Sequence, residues 1–192
     1  MRPVPLLFAV VLAALPASAE TYRGYDQAPY TVTRQTGAVE LRQYAPRTVA
    51  EVIVRGSRTA AVQRGFSELA SYIFGKNATK EKIAMTVPVG QRETPRGWII
   101  RFTMPPGTTA ASLPRPENSA IVVKRLPAER LLVIRFDGRA TQARLDEMDA
   151  ALRAQADRQG ITLTGAPQLM FYDDPFTMPW NRRNEIAYSV AP

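Results

Sequence analysis

VELRQYAPRTVAEVIVRG, Val39 to Gly56, reads again later in the chain as IVVKRLPAERLLVIRFDG, Ile121 to Gly138. Each copy alternates apolar and polar residues, turns at a proline (Tyr44-Ala45-Pro46, Leu126-Pro127-Ala128), alternates again and stops at glycine. Alternation at period two is the signature of strands with one buried face. A helical stretch follows both copies. From Arg58 to Phe74, Val62, Phe66, Leu69 and Ile73 form one apolar stripe; from Thr141 to Gln159, Leu145, Met148 and Leu152 do the same, and Gly160 ends the helix. Two further strand-like runs come after each helix, KIAMTVPV with WIIRFTM and then QLMFYDD with EIAYSV. A unit of this length occurring twice is no solenoid. It predicts an α+β fold, a pseudo-twofold duplication forming an antiparallel sheet or distorted barrel with two main helices packed on it. The repeats run from about 37 to 105 and from 120 to 190, joined by MPPGTTAASLPRPENS, Met104 to Ser119, a surface connector within a single domain over 20–192.

The first residues, MRPVPLLFAVVLAALPASAE, carry one positive charge at Arg2, an apolar run from Val4 to Leu15, and Ala17 and Ala19 around Ser18. That pattern predicts a signal peptide over 1–19 and a processed chain from Glu20, periplasmic or secreted, without stable membrane insertion. The chain has no Cys, which excludes disulfides and lipid attachment at cysteine. Its net charge of +8, falling by one if Arg2 leaves, suits an anionic ligand or surface. Because Arg and Lys are dispersed, the pattern points away from nucleic acid.

With neither His nor Cys, Ser-His-Asp and Cys-His catalysis are excluded, and a zinc site lacks its preferred ligands. No phosphate-binding glycine motif is present. The pair Asp173-Asp174 does not flank one bond, because neighbours on a strand face opposite ways, and reads as a solvated strand end. Asn77-Ala78-Thr79 matches a glycosylation sequon but reads as a turn after the first helix. The chemistry that remains is apolar. DDPFTMPWNRRNE, Asp173 to Glu185, presents Phe176, Met178 and Trp180 between two strands, followed by Arg182 and Arg183. Aromatic and thioether surface edged by guanidinium suits a flat apolar ligand that carries carboxylates; residue composition alone equally allows these side chains to be core. Successive arginines alternate faces, so one of the two reaches a ligand at most while the other pins the loop.

YIFGKN (Tyr72 to Asn77), KIAMTVPV (Lys82 to Val89) and DPFTMPWNRRNEIAY (Asp174 to Tyr188) together resemble the SOUL family of haem-binding proteins. The resemblance runs from about Tyr30 to the end. It implies a duplicated barrel-like fold, also similar to bacterial effector-binding modules, and non-covalent binding of b-type haem or another porphyrin in an exposed hydrophobic groove. Carried over by position, the groove uses Gln63, Phe66, Ala70 and Phe74 of the first helix with Met178 and Trp180 of the late loop. Gln63 and Met178 stand where some members have basic residues, so Arg182 or Arg183 takes the role of pairing propionates. Where some relatives place a histidine ligand this chain has Gln43, leaving Met, Tyr or water, with Met178 as the candidate axial ligand. Met85 and Val87 of KIAMTVPV read as one face of a strand that Pro88 ends. The expectation is a carrier or buffer with no enzymatic activity. The alternatives are an effector-binding module for another flat apolar molecule and, less favoured for want of an acid or base, a tetrapyrrole-modifying enzyme.

Overall fold

A computed structural model describes residues 21–191; the expected signal segment and its cleavage site lie outside the described residues. In chain order the elements are β1 (Thr21–Tyr22), β2 (Tyr25–Gln27), β3 (Tyr30–Thr36), β4 (Val39–Tyr44), β5 (Arg47–Val54), α1 (Arg58–Ile73), β6 (Thr86–Val87), β7 (Val89–Thr94), β8 (Gly97–Thr103), β9 (Val122–Leu126), β10 (Glu129–Asp137), α2 (Gln142–Arg158), β11 (Leu163–Phe171) and β12 (Arg183–Val190). A single turn of 3-10 helix, Pro179–Asn181, precedes β12. KIAMTVPV is therefore mostly loop. Thr86 and Val87 pair in β6, Val89 opens β7, Met85 lies outside both strands, and Pro88 separates them.

Nine strands form one open sheet in the order β3-β4-β10-β12-β11-β7-β8-β5-β9. Apart from the edge strand β3, the order is symmetric about the β11/β7 pair, which is the duplication seen in space. Although each proline corner joins two strands, those strands do not pair with each other. β4 leaves its own half to pair with β10, and β9 leaves its half to pair with β5. Each half therefore lends one strand to the other, so neither sheet half is complete without its partner.

Directly paired residues of an antiparallel ladder share a face. One rung runs Val52, Ile100, Gln91, Leu169, Ile186, Ile134, Val39 across seven strands. Val52 and Ile100 pack in the core under α1, and Leu169, Ile186 and Ile134 in the core under α2, so both helices cover the same face. Burying side chains such as Ile100 and Ile186, which are fully buried, stabilises by roughly 1.5–3 kcal/mol each. The adjacent rung, on the opposite face, is Glu51, Arg101, Gly90, Met170, Glu185. It holds two buried glutamates, each clamped by an arginine of its own half and a basic residue of the crossing strand. Glu51 takes Arg101 and Lys124, and Glu185 takes Arg183 and Arg42. Through Lys124 and Arg42 these ion pairs tie the halves together a second time, on the face opposite the helices.

On α1 the buried stripe is Ala61, Gly65, Leu69, Tyr72 and Ile73. The expected stripe through Val62 and Phe66 is thus rotated: small residues at 61 and 65 let the helix approach the sheet closely, and Phe66 is displaced to the flank. A Cβ at Gly65 would meet Ile100 Cγ1 at 2.5 Å and Ile100 Cβ at 2.8 Å. Alanine is the better helix former by about 1 kcal/mol, but overpacking costs about 1–3 kcal/mol. Gly65→Ala is expected to lower the urea midpoint; a midpoint at or above the parent's would contradict the close approach.

Candidate functional site

α1 starts after Gly56 with Ser57 as its N-cap, whose side chain accepts from the Ala60 amide. Gln63, Phe66, Ala70 and Phe74 follow at spacings that keep them within a sector of ~80° flanking the buried stripe, with Phe66 at the edge nearest Ile73. Phe66 sets its ring edge-on to Phe102 at 5.4 Å between centroids and still exposes 39% of its surface; Phe74 exposes 60%. On the same helix-bearing face Phe171 lies on the rung of Phe102, two strands away through Val89, and Arg58 stands over its ring at 5.9 Å. Burial alone lowers the pKa of this guanidinium, and no carboxylate partner is present among the described residues. Phe171 ends β11, and from it the late loop departs.

The loop is built tightly. Asp174 Oδ1 accepts the amides of Phe176 and Thr177 at 2.7 and 2.9 Å. Arg182 donates through Nε to the Thr177 carbonyl and through Nη2 to the Pro175 carbonyl, both at 2.7 Å. Arg23 Nη2 donates to the Asn181 carbonyl at 2.8 Å. From this frame Phe176, Met178 and Trp180 project with 94%, 51% and 67% of their surfaces exposed. Asp173 is no solvated strand end. Its carboxylate is 1% exposed, accepts the Arg183 amide at 2.7 Å and the Tyr22 hydroxyl at 3.1 Å, and pairs with Arg23, because the N-terminal β1 folds over it.

The two arginines divide. Arg182 ties the loop to itself, while Arg183 enters β12 and lies buried against Glu185 and over the Tyr172 ring. Glu185 Oε2 also accepts from Arg42 at 2.8 Å and from the Tyr172 hydroxyl at 2.8 Å. Burial pushes the Glu185 carboxyl up, but the hydrogen bonds and charges of Arg42 and Arg183 outweigh it and hold the group below its ordinary value. Tyr172 is pushed well up, by burial first and then by the Glu185 charge, and so remains a donor. Gln43 sits on β4, on the far side of the sheet order from the strands that α1 covers. Asn77 is fully buried, with Nδ2 bonded to the Tyr72 and Glu81 carbonyls, which makes it the internal clasp of a turn and closes it to glycosylation.

The structure thus separates the sequence-expected residues into two exposed surfaces. One is the outer stripe of α1, with Gln63, Phe66, Ala70 and Phe74; the other is the loop with Met178 and Trp180. Five of the eight large apolar residues that are exposed among the described residues lie on these two elements, so the exposure is concentrated and not scattered. Two concavities lie elsewhere. A cavity of about 30 Å³ on the face opposite the helices is lined by Tyr30, Tyr44, Arg47, Arg101 and Tyr172 among others. A shallow cleft of about 330 Å³ runs between α1 and the connector, with Glu68, Lys76 and Glu117 on its walls. Arg58 escaped the sequence reading because a lone arginine opening a helix carries no pattern; only the fold brings it over Phe171.

A duplicated α+β unit with swapped first strands and two helices on one sheet face is the fold that carries the exposed helix and loop surfaces. The chain belongs to the SOUL heme-binding protein family, whose pattern it matches over residues 25–189. It is similar to heme-binding protein 2 of Mus musculus, 26% identical over 170 residues covering 83% of this chain and 82% of that protein. Heme-binding protein 2 of Homo sapiens is 28% identical over 170 residues with the same coverage, 83% and 82%. Among solved structures, the EcmrR C-terminal domain has the same fold, with a TM-score of 0.56 at 11% identity over 84% of this chain and 98% of that one. Family membership supports a tetrapyrrole ligand. Among the described residues no helix is long and apolar enough to cross a membrane.

Proposed function

We propose that the protein binds haem or a related tetrapyrrole reversibly and without a covalent bond, as a carrier or buffer in the periplasm or outside the cell, and that it is not an enzyme. The observation that carries this reading is the pairing of exposed apolar surface on α1 and on the late loop in a chain of this family. The Phe66, Ala70 and Phe74 stripe gives one wall, with Gln63 at its polar edge. Met178 and Trp180 give the other. The residues fit a metalloporphyrin. The aromatic side chains offer flat apolar area, and the Met178 thioether is a soft donor free to reach an iron atom. Arg58, unpaired and partly buried, is suited to a propionate. Arg182, whose Nε and Nη2 already hold the loop, keeps its remaining N–H groups for the other. When bound, haem itself supplies the iron; the chain contributes binding and orientation. The 30 Å³ cavity on the opposite face holds no more than a water-sized guest, far below the several hundred Å³ that drug-sized ligands occupy. This weighs against an effector buried on that face.

Thermal unfolding with haem and with metal-free porphyrin tests the wall and the iron ligand separately. Both ligands are expected to raise the melting point, haem more, and Met178→Ala is expected to abolish that preference. No rise with either porphyrin would sink the proposal. Equal rises in the parent would remove Met178 from the iron.

A further inference from the structure

We infer that the tip of the late loop, Phe176 to Trp180, docks on an anionic lipid surface. Phe176 is the least covered large apolar residue among those described, and it stands clear of the protein on a convex tip. A flat ligand needs two walls, so a side chain 94% exposed on a convexity is no part of a groove. The unusual feature is how the backbone beneath it is satisfied. Pro175 and Pro179 have no N–H to desolvate. The amides of Phe176 and Thr177 are held by Asp174, those of Asn181 and Arg182 by the carbonyls of Met178 and Pro179, and the carbonyls of Pro175 and Thr177 by Arg182. A segment leaving water for an apolar medium must bring its polar groups already paired, and most of this tip is paired within itself. Tryptophan beside phenylalanine is the composition favoured at the boundary between headgroups and acyl chains.

Charge selects the kind of surface. Arg182 and Arg23 stand at the base of the tip, where a phosphate headgroup lies once the tip is immersed, and Arg23 is half exposed. The chain as a whole carries a net +8. A basic protein with an apolar tip is drawn to anionic lipid, adsorbed by charge and held by the inserted side chains. This contact is peripheral and uses no spanning helix. It differs from the haem reading in Phe176, which takes no part in the proposed ligand walls, whereas Met178, Trp180 and Arg182 serve in both.

Vesicle flotation tests it. The purified protein is expected to float with vesicles of phosphatidylglycerol and phosphatidylcholine and to stay behind with phosphatidylcholine alone. Phe176→Ser is expected to reduce the floated fraction at least tenfold while its haem titration stays that of the parent. In a Trp98→Phe background, Trp180 emission is expected to move to shorter wavelength on the anionic vesicles. Absence of flotation, equal flotation of Phe176→Ser, or an unmoved Trp180 emission overturns the inference. Equal capture by neutral vesicles overturns the selection by charge. A concentration-dependent dimer abolished by Phe176→Ser, without vesicle binding, assigns the tip to a second copy of the chain instead.

Discussion

Replacing Glu185 with alanine is expected to lower the unfolding free energy by about 3–5 kcal/mol, the range for removing one partner of a buried ion pair. Glu185 is fully buried and accepts from Arg42, Arg183 and Tyr172 together. Arg42 is 1% exposed, so without the Glu185 carboxylate its guanidinium is left with Glu40, the Tyr44 hydroxyl and the face of the Tyr30 ring. The loss also reaches beyond one contact. Arg42 comes from β4, which has crossed to the other half, so the clamp ties the two repeats together. Glu185→Gln keeps the shape and one acceptor oxygen and is expected to fall between the parent and the alanine variant. The effect depends on pH in a definite direction. The folded carboxyl titrates below its unfolded counterpart, so its contribution is complete above the ordinary Glu value of about 4.3 and is lost as pH falls through the lower folded value. Urea unfolding at pH 7 should separate the variants widely, and at strongly acidic pH the parent should approach Glu185→Ala. A loss below about 1 kcal/mol at pH 7 would show that the clamp barely exceeds the value of a surface pair.

Phe66→Asp combined with Trp180→Asp is expected to weaken haem binding at least ~100-fold. Burying an aromatic side chain against a ligand is worth roughly 1.5–3 kcal/mol, and each factor of ten corresponds to about 1.4 kcal/mol. The two changes remove one aromatic surface from each proposed wall and add a negative charge beside a ligand that carries carboxylates. Trp180 is exposed, and its replacement is expected to leave the urea midpoint almost unchanged, within the ±0.5 kcal/mol usual for surface sites. Phe66 leans on Phe102, so its replacement costs some stability as well. Retention of parental affinity by the double variant would move the ligand off the helix and the loop.

The duplication was legible because alternation at period two, a proline corner and a glycine stop recur in the same order, and both helices fall where the apolar period of 3.6 puts them. What the pattern could not carry was which strands pair. A corner at Pro46 looks the same whether the chain folds back on itself or crosses to the other half, and only the long-range partners of Arg42 and Lys124 distinguish the two. The face of α1 was misread by a small rotation, because a search for large apolar residues passes over Ala61 and Gly65, two buried positions of which Gly65 lies tight against Ile100. Of the candidate site, the late loop was visible as composition, whereas its architecture was not. Asp173 and Asp174 look alike in sequence, yet one is buried under Tyr22 and the other caps the loop at Phe176 and Thr177. The arginine pair was expected to divide its labour; Arg182 closes the loop, and Arg183 lies in the Glu185 clamp.

An absorbance titration of the purified protein with haem tests the proposed tetrapyrrole site between α1 and the late loop. A shifted, saturable Soret band is expected at micromolar haem, with stoichiometry near one and a marked loss in the Phe66→Asp, Trp180→Asp variant. A spectrum that remains that of free haem up to tens of micromolar would contradict it.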